Sequence, residues 1–153
     1  MKLNRTLTAT VYIVHQDKVL LHVHKKFKTL FPVGGKLEAD ELPEEAAIRE
    51  AQEEAGLAVT LLTTQKELGM TRVRQLNNPQ YTLLENIGHE IENIDFIFFA
   101  TSQTDQVRPQ VGESQTMYWL TEAQVRAHQN IKEHIKLMAL EALYVMRKED
   151  KDF

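Results

Sequence analysis

The sequence predicts an α/β fold in which a mixed β-sheet is sandwiched between α-helices, as a single domain over residues 1–153. Three observations predict it. Alternating or β-branched apolar runs recur along the chain, with IDFIFFA (residues 94–100) the strongest of them. Two segments, near residues 43–55 and 130–147, carry apolar residues at helical spacing. Strand-like and helical pieces are interleaved with no repeat or linker between them, an order that packs helices on the faces of one sheet.

Thr8–Val14 and Lys18–His24, split by Gln16-Asp17, predict a hairpin at the start of the chain. Phe31-Pro32-Val33-Gly34-Gly35 predicts a turn, and Lys36–Glu38 a brief strand. The first helix is expected from Pro43 to Ala55. Pro43 suits the first helical position, and Glu44 and Glu45 suit the positive end of the dipole. Leu42 is a poor N-cap. Ala47, Ile48, Ala51 and Ala55 form the expected apolar stripe, small enough to lie close to a sheet. Strands are expected near 60–69, 71–75, 81–87 and 93–100, then a short one at Thr116–Leu120. Thr121 caps a further helix, and a last helix is expected near 130–147. Its buried side is assigned to Ile131, Ile135, Leu137, Met138, Leu140, Leu143 and Tyr144. The charged tail KEDKDF is expected to fray.

A hydrophobic fraction of 42% and a charged fraction of 26% are those of an ordinary globular protein. No apolar run is long enough to cross a bilayer, and the N-terminal stretch lacks a signal-peptide pattern. There is no cysteine, which excludes disulfides and thiolate metal sites and fits a cytoplasmic protein. Charge is unevenly placed. Between Gly35 and Leu57 eight acids face two bases, while the remainder is slightly basic. No basic stripe suited to long nucleic acid is present. The one basic knot, His22, His24, Lys25, Lys26 and Lys28, is either a phosphate contact or a solvated strand end.

The acidic stretch reads GKLEADELPEEAAIREAQEEAGL. On a helix Glu50, Glu53 and Glu54 fall within one narrow arc, and like charges so spaced repel. Taken by charge alone, the stretch is either a solvated acidic face or a cation site. Carboxylate oxygens in that arrangement suit Mg²⁺, with Mn²⁺ as the alternative, rather than zinc. The full spacing is Gly35, five residues, Glu41, seven residues, Arg49-Glu50-Ala51, one residue, Glu53-Glu54, one residue, Gly56-Leu57. This resembles the Nudix box, the signature of the Nudix (MutT-like) hydrolases, with every fixed position filled.

The resemblance implies the Nudix fold and hydrolysis of a nucleoside diphosphate linked to another group. It implies Gly35, Glu38, Glu50, Glu53 and Glu54 as metal-site residues, with Glu53 and Glu54 the main ligands. Glu50 is then ligand or base, and Arg49 a partner that holds Glu53 in place. Gly34, Gly35 and Lys36 are expected to meet phosphate. Outside the box, Glu113 is the candidate base from the loop before the final strand, or else a plain turn residue. Glu85, Glu90 and Asp95 stand behind it. Phe27 and Trp119 are candidates for stacking on a base, or else core packing, and His89 is a turn residue. Val33 stands where the family often has proline. Motifs typical of ADP-ribose, dinucleoside polyphosphate and NADH hydrolases are missing, which favours a nucleoside triphosphate. A small nucleotide is therefore the expected substrate, for a monomer or homodimer without membrane or nucleic-acid partners.

Overall fold

A computed structural model describes residues 3–151. Its strands are β1 (Asn4–His15), β2 (Lys18–Val23), β3 (Leu30–Phe31), β4 (Val33–Lys36), β5 (Val59–Leu61), β6 (Tyr81–Asn86), β7 (Ile91–Ser102) and β8 (Met117–Leu120). The helices are α1 (Pro43–Glu50), α2 (Glu122–Ala127) and α3 (Glu133–Lys151), and a π-helical turn, Ala51–Ala55, continues α1.

β1 and β7 form the spine, a parallel pair in register from Asn4↔Ile91 to Val14↔Thr101. The predicted hairpin forms between β1 and β2, its tight turn made by Gln16 and Asp17 at φ 48° and 64°. β4 lies along the other side of β1 from β7, and β6 lies along the far edge of β7. β1 residues alternate between faces. Val11 and Ile13 join Ala46, Ala47, Ala51 and Ala55 in one core. Tyr12 and Val14 join Ile135, Ala139 and Leu143 of α3 in the other. The sheet is thus covered by helices on both faces, as predicted.

Several local expectations are corrected. Gly34 and Gly35 lie within β4, paired to Thr10 and Ala9, rather than in a turn, so the expected strand at Lys36–Glu38 ends at Lys36. Ile48 is exposed, because it points about 100° away from the buried Ala47, on the side turned from the sheet. On α3 the buried face is Ile135, Ala139, Ala142, Leu143 and Met146, whereas Leu137 and Tyr144 are exposed. Alanines, not the larger residues, let α3 approach the sheet. That helix begins at Glu133, not near 130, and stays helical through Lys151, where fraying was expected. Asp152 and Phe153, the end of that tail, lie outside the described residues.

The strands expected at 60–69 and 71–75 are absent beyond Leu61. Glutamine amides do the pairing there instead of a backbone ladder. Gln65 donates to Leu76 O (2.6 Å), Gln75 donates to Lys66 O (2.8 Å) and accepts from Leu68 N–H (2.9 Å). The weak cap at Leu42 is offset by Glu45, whose carboxylate accepts the Leu42 N–H at 2.9 Å.

Gly56 closes the π turn in the left-handed region, at φ 67°. A Cβ there would lie 2.5 Å from the Arg108 carbonyl oxygen. Gly56→Ala is therefore expected to destabilise the protein by about 1–3 kcal/mol. Denaturant titration measures this, and a loss below about 0.5 kcal/mol would show that the contact relaxes freely.

Candidate active site

Four elements build the site: β4, α1, the π turn and the loop between β7 and β8. α1 lies beneath β4, and the fit is close. A Cβ on Gly35 would stand 2.5 Å from Glu50 Oε1, so only glycine leaves room for that carboxylate against the strand. Arg49 is the hub. Its Nε donates to Glu41 (2.7 Å), its Nη1 to Glu50 (2.9 Å) and to Glu53 (3.0 Å), and its Nη2 to Glu41 (3.0 Å) and the Lys36 carbonyl (3.1 Å). The predicted Arg49–Glu53 pair is among these. Glu41 is held below the usual carboxylate range by its Arg49 hydrogen bond, and Arg49 is pushed further up in turn. Glu38 is more loosely associated, 3.6 Å from Arg49 and largely exposed.

Successive residues of a helical turn point in different directions, and so do the two neighbouring acids. Glu53 remains partly exposed beside Arg49, while Glu54 turns inward and is 9% exposed. Gly34 N–H donates to Glu54 at 3.4 Å, and His22 Nε2 lies 3.5 Å from it. Burial lowers the His22 pKa, so this contact joins two groups that burial drives towards their neutral forms. The Glu54 carboxyl is pushed up to about 9, first by burial and then by the charges of Glu50 and Glu113. A buried carboxyl set that holds a proton for want of positive charge has the chemistry of a divalent-cation site. Its donors are hard oxygens. Among the described residues, no three carboxylate or imidazole side chains stand as a preformed ion cage, because Arg49 draws Glu41, Glu50 and Glu53 to itself.

Glu54 opens onto a cavity of about 400 Å³. Glu113 lines it, and so do His24, Lys25 and Lys26 of the basic knot. The cavity does not reach Lys36, whose carbonyl faces Arg49, nor Phe27. Phe27 packs instead against Phe31, with ring centroids 5.8 Å apart and Lys132 Nζ 4.7 Å above its ring. Trp119 is tied down by its indole N–H to Asp105 O at 2.9 Å and packs beside His15. His89 and Glu90 sit in a positive-φ turn outside the cavity, whereas Glu85 and Asp95 line it. Sequence reasoning missed Thr8, Thr10 and Tyr12, which reach the cavity because alternate β1 residues share its face. Their spacing in TATVY was the available signal.

The loop that carries Glu113 is fastened to the π turn. Arg108 N–H donates to Ala55 O (2.7 Å) and Gln110 N–H to Glu53 O (3.1 Å), satisfying carbonyls that a helix end leaves unpaired.

The sequence model of the NUDIX domain matches residues 4–140. The chain belongs to the Nudix family, hydrolases that act on phosphoanhydrides. A NUDIX-family hydrolase from Clostridium perfringens is 42% identical, over 94% of this chain and 99% of its own, with a TM-score of 0.86. A MutT protein from Methanosarcina mazei Go1 is 14% identical over 99% of both chains, with a TM-score of 0.69. The E. coli dihydroneopterin triphosphate pyrophosphohydrolase is 21% identical over 92% of this chain and 96% of its own, at 0.66. These last two likenesses are of fold. Among curated protein sequences none matches the chain. No helix among the described residues is long and apolar enough to cross a membrane.

Proposed function

We propose that this Nudix hydrolase is an Mg²⁺-dependent pyrophosphohydrolase of nucleoside triphosphates, oxidised ones such as 8-oxo-dGTP included, yielding the monophosphate and pyrophosphate. The observation that most supports this is one cavity bordered by Glu54 and Glu113 on one hand and His24, Lys25 and Lys26 on the other. Carboxylates for a cation and ammonium groups for phosphate thus meet in one space. Glu50, Glu53 and Glu54 would hold Mg²⁺ (or Mn²⁺), with Gly35 and Glu38 beside them. When bound, the ion neutralises phosphate charge and lowers the pKa of water. Arg49 orients the carboxylates. Gly34 borders the cavity where phosphate would approach, Gly35 leaves the room that Glu50 takes, and Lys25 and Lys26 are better placed than Lys36 or Phe27 to meet it. Glu113, or failing it Glu50, takes the proton from the attacking water. A cysteine-free chain acting on nucleotides suits the cytoplasm.

A nucleotide panel assayed with and without EDTA tests the proposal. Expected is Mg²⁺-dependent release of pyrophosphate from triphosphates. Metal-independent turnover, or none at high enzyme concentration, would overturn it. Faster cleavage of ADP-ribose would make the chain a hydrolase of nucleotide sugars, and tight binding without cleavage a nucleotide-sensing module.

A further inference from the structure

The cavity continues well past the box. It runs from Gly34 on β4 across β1 and β7 to Glu85 on β6, three strand-to-strand steps of about 4.8 Å each. A nucleotide whose phosphates lie at β4 would carry its base to β6. There the lining changes character. Asp95, only 4% exposed, receives Thr8 Oγ1 at 3.0 Å and Thr10 Oγ1 at 2.9 Å on Oδ1, and Thr10 again at 2.9 Å on Oδ2. Both its oxygens are supplied from the strand. Glu85 lies opposite Asn93 and diagonal to Asp95 across the β6–β7 pair, its carboxyl within hydrogen-bond reach of the Asp95 carboxylate and without a hydroxyl donor from β1. Its nearest positively ionisable neighbour is His134, with Nε2 3.7 Å from Oε2. The same cavity is lined by His22, 8% exposed, whose Nδ1 has no hydrogen-bond partner. At its β6 end the space thus presents the Glu85 carboxyl, with Asn93 beside it, to whatever lies against the sheet.

We propose that Glu85, backed by Asp95, reads the base of the substrate and selects an edge with two adjacent N–H donors, the imide N–H and exocyclic amine of guanine-type bases. This deepens the triphosphate reading and rests on it. An ionised carboxylate takes such an edge bidentately. Adenine and cytosine place a ring nitrogen acceptor beside their amine, so they would need Glu85 protonated. Burial and Asp95 push the Glu85 carboxyl up to about 7. The ionisable groups around it are Asp95 on β7, Tyr12 on β1, Lys132 just before α3 and His134 in its first turn. Burial keeps the Tyr12 phenol and the His134 ring neutral, which leaves Lys132 as the one cation acting on Glu85. Guanine preference should therefore weaken as pH falls below 7.

Steady-state kcat/KM for GTP, ATP, CTP and UTP is measured for the wild type, Glu85→Gln and Asp95→Asn. Wild type is expected to favour GTP, and Glu85→Gln to reduce the GTP-to-ATP ratio by about 10- to 100-fold. Thermal shifts by the same nucleotides in EDTA run alongside, and Asp95→Asn covers the case in which Glu85→Gln fails to fold. Equal use and equal binding of the four bases, or a guanine preference that both variants retain, would overturn the proposal. If no triphosphate is hydrolysed, the hydrolytic reading fails alone, and the thermal shifts still decide base selection.

Discussion

Glu54→Gln and Glu53→Gln are each expected to lower turnover at saturating Mg²⁺ by on the order of 10²-fold or more, since each removes one negative charge from the proposed ligand set. Without metal the two should part company. Glu54 is buried, and its folded pKa of about 9 lies above the ordinary 4.5. The folded protein therefore keeps a proton that the unfolded chain has released. Stability from this source falls as pH rises from about 4.5 to about 9. Glu54→Gln has no such proton to lose. In EDTA it should match wild type near pH 5 and unfold several degrees higher at pH 8. At 1.36 kcal/mol per pH unit the gain at pH 7 is at most about 3 kcal/mol. Glu53, half-exposed, has only its 3.0 Å bond from Arg49 to lose, so Glu53→Gln should stay within about 1 kcal/mol of wild type. Near wild-type turnover would remove either residue from the ligand set. A lower melting point for Glu54→Gln at pH 8 would show that its charge is already compensated.

Glu113→Gln is expected to lower kcat strongly, by a factor of about 10² to 10⁴, with KM nearly unchanged. The acidic limb of the pH–rate profile should flatten, because that limb reports protonation of the base. Two observations support the role. Glu113 lines the cavity that Glu54 opens onto, and its charge is felt at Glu54. It also stands at the tip of its loop, just past the fastened Arg108 and Gln110, with its N–H donating to Gln110 O at 3.0 Å and with Val111 and Gly112 exposed beside it, Gly112 at φ 95°. If all three quantities stay within a few-fold of wild type, Glu113 is a turn residue and Glu50 becomes the candidate base.

The box was legible because its chemistry constrains residue type and spacing together: Arg49 reaches Glu53 one turn on, and Gly35 must yield space to Glu50. Pattern alone could not show that Glu53 and Glu54 face different surroundings. Which of the two turns inward depends on what packs against the turn, and AQEEA carries no signal for that, nor any that separates a π from an α turn. The strands expected at 60–69 and 71–75 fail beyond Leu61 for another reason. Alternation in that stretch is real, but Leu68 and Val73 have nothing to cover them, and glutamine amides take the bonds a ladder would use. Glu85 and Asp95 are far apart in sequence and meet only because β6 and β7 pair. No local motif announces such a meeting.

Fastening residues 108 and 110 to the carbonyls of Ala55 and Glu53 makes the box and the Glu113 loop a single exchangeable piece. Grafting the box alone onto another Nudix scaffold would bring acids and glycines but leave those carbonyls to whatever loop the host supplies. Grafting the loop alone would set Arg108 and Gln110 against a turn whose carbonyls the host's own loop was shaped to meet. Chimeras that carry residues 33–57 and 103–116 together should keep the carboxylates in register, and single-segment grafts should not. The natural unit of inheritance for this chemistry is thus a pair of segments about fifty residues apart in sequence, joined by main-chain hydrogen bonds that no alignment of side chains records.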